Sequence, residues 1–243
     1  MAGLKFDGYD LSTDFVCGDP ELTVFNAEPN ILKPSSSNGA VFVGMRYGTS
    51  RVSVTVAAEG TALERRNKFA ELGSRLFVDE PKKLILPDAP DRYYMAVPDG
   101  GLELQRAYGA EYATLTFMLT DPIAASNTER HVSSTNGTAV CDVDGTAPTY
   151  MRFYATPASP ESGTNLWGLA LQSNTATDKF VVAMRYTMTS VTANMETKQA
   201  SSSGYATMPT LDSVWIKLKP GTNTLTVVKG SGEFTVYWRD RWY

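Results

Sequence analysis

The chain has 243 residues, of which 42% are hydrophobic and 20% charged, and its formal net charge is −4. This composition supports a buried core and excludes an intrinsically disordered chain. No run approaches the roughly 18 consecutive apolar residues of a membrane-spanning helix. The pI near 5.1 argues against binding nucleic acid by charge. The single histidine excludes His-rich metal sites and most triad chemistry.

The amino-terminal residues lack the apolar stretch of a secretory signal peptide and carry an early acid at Asp7. We therefore expect the protein to be made and folded in a cytoplasm. Cys17 and Cys141 lie far apart in the sequence and form no disulfide framework. We predict that both are reduced and buried as small hydrophobic residues.

Strands are predicted in the first half wherever apolar residues alternate with polar ones or form a short run. The ranges are 41–43, 51–56, 84–86 and 113–119. In the second range Val52, Val54 and Val56 share one face. The two short apolar runs, 41–43 and 84–86, are predicted to be buried.

One helix is predicted, over residues 62–77. Thr61 and Glu64 have the spacing of a capping box, which marks the start of a helix. Its apolar stripe consists of Ala62, Phe69, Gly73 and Leu76, flanked by Leu72 and Phe77. Pro81 makes a longer helix unfavourable.

The second half is predicted to contain six short strands separated by turn residues, which is typical of a β-sandwich or jelly roll. The ranges are 150–154, 166–171, 180–188, 214–218, 225–228 and 234–238. Asn136-Gly137 is predicted to form a hairpin turn.

A domain boundary is predicted at Asp121-Pro122, where a strand is expected to end and a small, polar connection over residues 123–135 to begin. The charge distribution changes at the same point. Residues 1–122 contain 12 basic and 17 acidic residues, a net of −5, and residues 123–243 a net of +1. The predicted domains are therefore 1–122 and 123–243.

The search for catalytic or metal-binding residues predicts no catalytic, cofactor or metal site. A nucleophile pair of His131 and Cys141 requires both side chains on one hairpin face, so a surface histidine beside a buried cysteine is favoured. Asp142 and Asp144 resemble the start of a calcium loop, but the twelfth position is Phe153 instead of glutamate.

Five early acids have no spacing that selects a catalytic pair, and a solvated acidic face is favoured. They are Asp7, Asp10, Asp14, Asp19 and Glu21. Aromatic residues cluster at Tyr93-Tyr94 and in the carboxyl-terminal residues 238–243. Trp238 matches the phase of a buried strand face, whereas for Trp242 strand packing and an exposed binding role are equally favoured.

Several segments follow one another along the chain in a recognisable order. They are residues 44–48, 51–56, 63–77, 84–86, 88–96, 113–122, 220–225 and 236–242. The most specific is the succession of a helix, a short strand and Asp88-Ala89-Pro90-Asp91-Arg92-Tyr93-Tyr94. In this order the segments resemble the distal tail proteins of bacteriophages with long, non-contractile tails.

The resemblance implies a mainly β, β-rich α+β fold. It has an amino-terminal β-barrel-like domain with one helix and a carboxyl-terminal galectin-like β-sandwich. It also implies a structural virion protein, of which six copies form a ring at the tail tip. The implied partners are copies of the chain, the tail tube protein, a tail-tip or lysin-like protein and the tape-measure protein. DNA passes through the lumen without specific binding, and no membrane and no cofactor are involved.

Three functions remain open from the sequence. The resemblance favours a hexameric hub, located in the virion tail tip and assembled in the cytoplasm of the bacterial host. The alternative is a carbohydrate-binding β-sandwich module that recognises host cell-wall glycans. An enzyme is least favoured, because no catalytic constellation is found.

Overall fold

The computed structural model describes residues 3–23, 26–33, 38–107, 110–172, 178–184 and 187–243. The chain divides into two compact units. The first runs to Ala124 and includes Tyr243, and the second runs from Ala125 to Trp242. Among the described residues, none of the helices has the length and apolar character to cross a membrane. The described chain is mainly β, which confirms the predicted class.

Eleven strands and one α-helix begin in the described part of the first unit. They are β1 (Lys5–Phe6), β2 (Tyr9–Asp10), β3 (Val16–Cys17), β4 (Glu21–Leu22), β5 (Ala27–Leu32), β6 (Val41–Tyr47), β7 (Ser50–Ala58), α1 (Ala62–Leu76), β8 (Lys82–Ile85), β9 (Arg92–Pro98), β10 (Gln105–Ala107) and β11 (Ala110–Ser126). A short 3-10 helix covers Leu11–Thr13.

The main sheet of this unit is antiparallel, with the strand order β2-β1-β8-β9-β11-β7-β3. Strand β4 also pairs with β7, and β10 with β11. The long pairing of β7 with β11 runs from Glu111 opposite Ala58 to Leu119 opposite Ser50. Alternate residues of both strands are buried, which confirms the strands predicted over 51–56 and 113–119.

Helix α1 begins with the predicted capping box. Thr61 Oγ1 accepts from the Glu64 backbone N–H at 3.3 Å, and the Thr61 N–H donates to Glu64 Oε2 at 2.7 Å. Phe69 and Leu72 are the buried residues of the helix. The predicted stripe is wrong at its ends, since Ala62 is exposed and Phe77 is 86% exposed. Phe77 is the C-cap, and its extended backbone removes its side chain from the helical phase.

Strands β5 and β6 pair with each other in a separate two-stranded sheet. The predicted strand at 41–43 is therefore present, but the prediction that it is buried is wrong. Hydrophobicity cannot distinguish a buried strand from an apolar strand that is left uncovered. For 84–86 the prediction holds in part, because Leu84 and Leu86 are buried but β8 ends at Ile85.

The strand predicted to end at Asp121-Pro122 continues to Ser126 as part of β11. Proline is tolerated in a strand where no ladder N–H is required at its position. The Asp121 carboxylate also accepts the Ile123 backbone N–H at 3.0 Å, so that this donor is satisfied. The division of the domains at residues 122 and 123 stays a prediction.

A further twelve strands lie among the residues of the second unit that the structure describes. They are β12 (Arg130–Ser133), β13 (Thr138–Val143), β14 (Thr149–Ser159), β15 (Leu166–Gln172), β16 (Asp178–Ala183), β17 (Val191–Asn194), β18 (Gln199–Ser202), β19 (Tyr205–Ala206), β20 (Lys217–Leu218), β21 (Gly221–Lys229), β22 (Ser231–Trp238) and β23 (Arg241–Trp242).

Two antiparallel sheets of this unit enclose one hydrophobic core. The first has the order β12-β22-β14-β17-β18-β19, and the second has the order β13-β21-β15-β16. Phe153 of the first sheet meets Trp167 of the second with ring centroids 5.6 Å apart. Phe234, Val236 and Trp238 are buried in the predicted alternation.

Two strands predicted in this unit are too long. The strand predicted over 180–188 ends at Ala183, and residues 185 and 186 lie outside the described residues. Of residues 214–218, only Lys217–Leu218 are a strand, because the Val214 N–H donates to Lys179 O as part of an irregular segment beside β16. The turn at Asn136-Gly137 is confirmed, with φ of 53° and 70°, as a type I′ turn requires.

Candidate assembly surfaces

The β5–β6 hairpin presents an uncovered apolar surface on the first unit. Its large apolar side chains are between 44% and 61% exposed. They are Ile31, Leu32, Val41, Phe42, Val43 and Met45. Contiguous exposed apolar residues of this kind mark interaction sites, because leaving them in water is unfavourable.

The hairpin has a defined geometry despite its exposure. Ile31 lies opposite Phe42, and a bulge at Val43 shifts the register before Asn30 pairs with Gly44. Glu28 and Arg46 form a cross-strand ion pair at 2.7 Å. An isolated two-stranded sheet is only marginally stable in water. A surface that buries its apolar residues would stabilise such a hairpin.

A second surface of the first unit is a groove along β3, with a volume of about 800 Å³. Its floor contains the buried residues Leu4 and Phe15, and its wall contains Val16, which is 59% exposed. Three prolines and two exposed acids are also among the lining residues. They are Pro20, Pro87, Pro90, Asp19 and Asp88. We call this the β3 groove.

Cys17 lies in the wall of the β3 groove and is only half-buried, so the prediction that it is buried is wrong. Its strand is at the end of the sheet order, where one side has no neighbour among the described strands. Partial burial raises the pKa of the Cys17 thiol. Cys141 is fully buried as predicted, and burial raises its pKa to about 12.

Two of the early acids, Asp10 and Asp14, accept hydrogen bonds that stabilise local structure. Asp10 accepts from the Ser12 backbone N–H at 3.0 Å and so caps the 3-10 helix. The Tyr9 hydroxyl donates to Asp14 at 2.5 Å, and burial, together with this hydrogen bond, raises the pKa of Tyr9. No group of three metal-ligating side chains occurs within the described ranges.

His131 and Cys141 lie on different sheets of the second unit and do not form a nucleophile pair. His131 is exposed on β12 and its ring lies 5.7 Å from that of Tyr237, whereas Cys141 is buried on β13 of the other sheet. Asp142 accepts from Thr222 Oγ1 at 2.8 Å. Asp144 pairs with Arg130 at 2.6 Å. These acids therefore stabilise loops and strands of the sandwich.

An ion pair and an aromatic ring cover part of the outer face of the first sandwich sheet. Arg152 donates to Glu129 from Nε at 3.1 Å and from Nη2 at 2.7 Å, and its guanidinium lies 4.4 Å from the Tyr237 ring centroid. The hydrogen bonds from Arg152 lower the pKa of Glu129. Tyr154 is exposed on the same face.

A buried carboxylate organises the carboxyl-terminal aromatic cluster. Asp240 accepts from Trp238 Nε1 at 3.2 Å, from the Asp144 backbone N–H at 3.2 Å and from Arg130 Nη1 at 3.1 Å.

Trp238 is buried, as its phase predicted. Arg239 donates to the Ser126 and Asn127 carbonyls. Trp242 is half-buried. The sequence did not predict that Asp240 accepts from Arg130, because 110 residues separate the two in the chain.

Comparisons with known proteins decide the family. Residues 10–119 match the model of the phage tail protein RIFT-related domain, and residues 144–242 match that of the siphovirus-type tail component, C-terminal domain. The structure is similar to that of the Dit protein of phage SPP1, with a TM-score of 0.81 at 17% identity over 99% of both chains. The chain belongs to the siphophage distal tail protein family.

This similarity in fold confirms the predicted architecture of a barrel-like domain with one helix and a galectin-like sandwich. The SPP1 structure is described as a paradigm of the hub of the adsorption apparatus in phages that infect Gram-positive bacteria. Two structures of the phage p2 baseplate in its activated conformation, with Sr and with Ca, match at 10% identity over 94% of this chain and 92% of theirs. Their TM-score of 0.48 is too low to bear on the fold. No curated protein sequence matches.

Membership of this family makes the chain a structural component of the phage tail and not an enzyme. The chain is therefore a tail component of the virion. The surfaces that matter are accordingly those that meet proteins.

Proposed function

We propose that the chain is the distal tail hub, which forms a hexameric ring between the tail tube and the tip. The ring joins the tail tube protein to a tail-tip or lysin-like protein, and the tape-measure protein and DNA pass through its centre. Residues 1–122 form the ring and residues 123–243 carry the sandwich. The proposed site of assembly is the cytoplasm of the bacterial host.

The exposed β5–β6 hairpin is the single observation that carries this proposal. A closed ring is a heterologous assembly, in which each copy offers one surface and receives another. An apolar hairpin with no cover among the described residues is suited to be the offered surface. Contact with a neighbouring copy buries its apolar side chains and the edges of its two strands.

The experiment measures solution mass with and without the hairpin's apolar residues. The wild-type chain is expected at six times its 26.5 kDa mass, either alone or after mixing with the tip protein. The triple variant Val41→Ser, Phe42→Ser, Val43→Ser is expected to stay monomeric. The control Met208→Ser, Leu211→Ser, which alters exposed apolar residues of the second unit, is expected to assemble. A wild-type chain that stays monomeric even with the tip protein contradicts the proposal.

The charge of the first half supports a lumen through which DNA passes without binding. Residues 1–122 carry a net charge of −5, and phosphates are repelled by an acidic surface. An electron-microscopy map of the ring tests this directly. A lumen lined by net positive charge, with these acids on the outside, contradicts the hypothesis.

A carbohydrate-binding sandwich is the second candidate. Tyr154 is 44% exposed on a sheet face that also carries Tyr237 and Arg152, and aromatic rings beside hydrogen-bonding side chains suit sugar recognition. Binding of wild-type protein to a glycan array of cell-wall saccharides, lost in Tyr154→Ala, supports this function. Absence of binding by the assembled protein counts against it.

A further inference from the structure

A ring built through the β5–β6 hairpin requires a receiving surface on the next copy, and this inference rests on the proposed function. The receiving surface must differ from the hairpin, because a heterologous contact joins two unlike patches. It must also offer apolar side chains to those of the hairpin. The β3 groove meets both conditions on the same unit of the chain.

The size and lining of the β3 groove suit an inserted apolar strand. Its volume of about 800 Å³ lies in the range of protein sites that enclose a ligand of several groups. Phe15 and Leu4 form an apolar floor, and Val16 is left exposed in the wall. Insertion of hairpin side chains removes apolar area on both partners from water.

The backbone of the groove also favours a strand as its occupant. Strand β3 pairs with β7 through Val16 opposite Ala57 and Cys17 opposite Val56. Its other side has no strand neighbour among the residues that the structure describes. A free edge accepts an extended segment by main-chain hydrogen bonds, and side-chain pockets then select the register.

The charges at the two surfaces are complementary. Lys33 is exposed directly after β5, at the end of the hairpin where Leu32 pairs with Val41. The lining of the groove includes Asp19 and Asp88, both exposed. Opposite charges at the rim of an apolar contact favour one orientation of the partners over others.

We propose that the β5–β6 hairpin of one copy lies in the β3 groove of the next copy. The apolar run Val41, Phe42 and Val43 packs beside Val16 and Cys17 of the receiving copy. Lys33 then faces Asp19 and Asp88 of that copy. Repetition of this contact around the ring buries every hairpin and fills every groove.

Cys17 makes the proposal testable by disulfide trapping. Val41→Cys and Phe42→Cys, made separately, place a thiol on opposite faces of the hairpin, because neighbouring strand residues point to opposite sides. The assembled proteins are treated with the azo oxidant diamide. Each pair of thiols loses two protons and two electrons, which reduce the azo group to a hydrazine, and a sulfur–sulfur bond forms. Formation requires Cα atoms within about 7 Å.

At least one of the two variants is expected to give a ladder from dimer to hexamer on a non-reducing gel. A ladder beyond the dimer requires that each copy both offers a hairpin and receives one. Adding Cys17→Ala should abolish the ladder. Val140→Cys, at an exposed position on β13, is the matched control and should give none. Cys141 is buried in the core of the second unit, so the oxidant does not reach it in the folded chain.

The outcomes separate this inference from the proposed function. Hexameric protein without a ladder in either variant overturns the groove as acceptor and leaves the ring intact. Protection of Cys17 from labelling only when the tip protein is added assigns the groove to that partner and also overturns the inference. A protein that is monomeric under all conditions overturns both proposals.

Charge reversal provides a second measurement. Lys33→Glu is expected to raise the concentration needed for assembly about tenfold. Adding Asp19→Lys and Asp88→Lys to the Lys33→Glu chain is expected to return that concentration to the wild-type value. Failure of the double reversal to restore assembly contradicts the proposed orientation. All three residues are exposed, so these variants should fold.

Discussion

At the scale of single residues, the Asp240 carboxylate is a buried charge that three donors share. It is 5% exposed and satisfies three donors from three parts of the second unit. Removing the acceptor of a buried donor lowers the free energy of unfolding by more than the hydrogen bond contributed, because the donor cannot bond to water instead. Asp144, which shares Arg130 with Asp240, is largely exposed.

Asp240→Ala and Asp144→Ala therefore form a matched pair at the same arginine. We expect Asp240→Ala to lower the free energy of unfolding by about 2 kcal/mol. We expect Asp144→Ala to lower it by less than about 1 kcal/mol, because water screens an exposed ion pair. Urea unfolding followed by tryptophan fluorescence measures both. Equal losses would mean that burial of Asp240 adds nothing to its contribution.

At the scale of elements, helix α1 and the β5–β6 hairpin illustrate two kinds of stabilisation. The helix is held by its capping box and by two buried side chains, Phe69 and Leu72. With so few buried residues, a cap contributes a substantial part of its stability. The hairpin has a salt bridge and cross-strand pairs but no covering layer among the described residues.

The cap of α1 can be tested against another hydroxyl in the same helix. Thr61→Ala removes the acceptor of the Glu64 N–H and should destabilise the first unit by about 1 kcal/mol. Ser74→Ala removes an exposed hydroxyl that donates to Glu71 O and should change stability by less than about 0.5 kcal/mol. Amide hydrogen exchange of residues 62–66 reports the effect. Unchanged exchange in Thr61→Ala would contradict the importance of the cap.

At the scale of the whole molecule, two hydrophobic cores are present, one in each unit. The first includes Leu119 of β11, and the second includes Leu169 of β15. Each of these side chains is at most 2% exposed. Cys141 belongs to the second core and reacts with a thiol reagent only when that core opens.

Leu119→Ala and Leu169→Ala create the same change in the two cores. Each substitution is expected to lower the free energy of unfolding of its unit by about 2–5 kcal/mol, because it leaves a cavity in close-packed surroundings. Leu169→Ala should accelerate labelling of Cys141 at least about 30-fold, since 1.4 kcal/mol is a tenfold change in the open population. Leu119→Ala should leave that rate unchanged. Mass spectrometry after timed labelling measures the rates, and equal acceleration in both variants would mean that the two cores open together.

From the amino-acid sequence alone we could predict the strands 51–56 and 113–119, the capping box of α1, the turn at Asn136-Gly137 and the family resemblance. These features depend on residues close together in the chain, so periodicity and turn chemistry suffice to predict them. The folded structure was needed to show that residues 41–43 are uncovered, that β11 continues through Pro122 and that Asp240 accepts from Arg130. Each of these depends on which distant segment lies alongside, and local hydrophobicity contains no information about that neighbour.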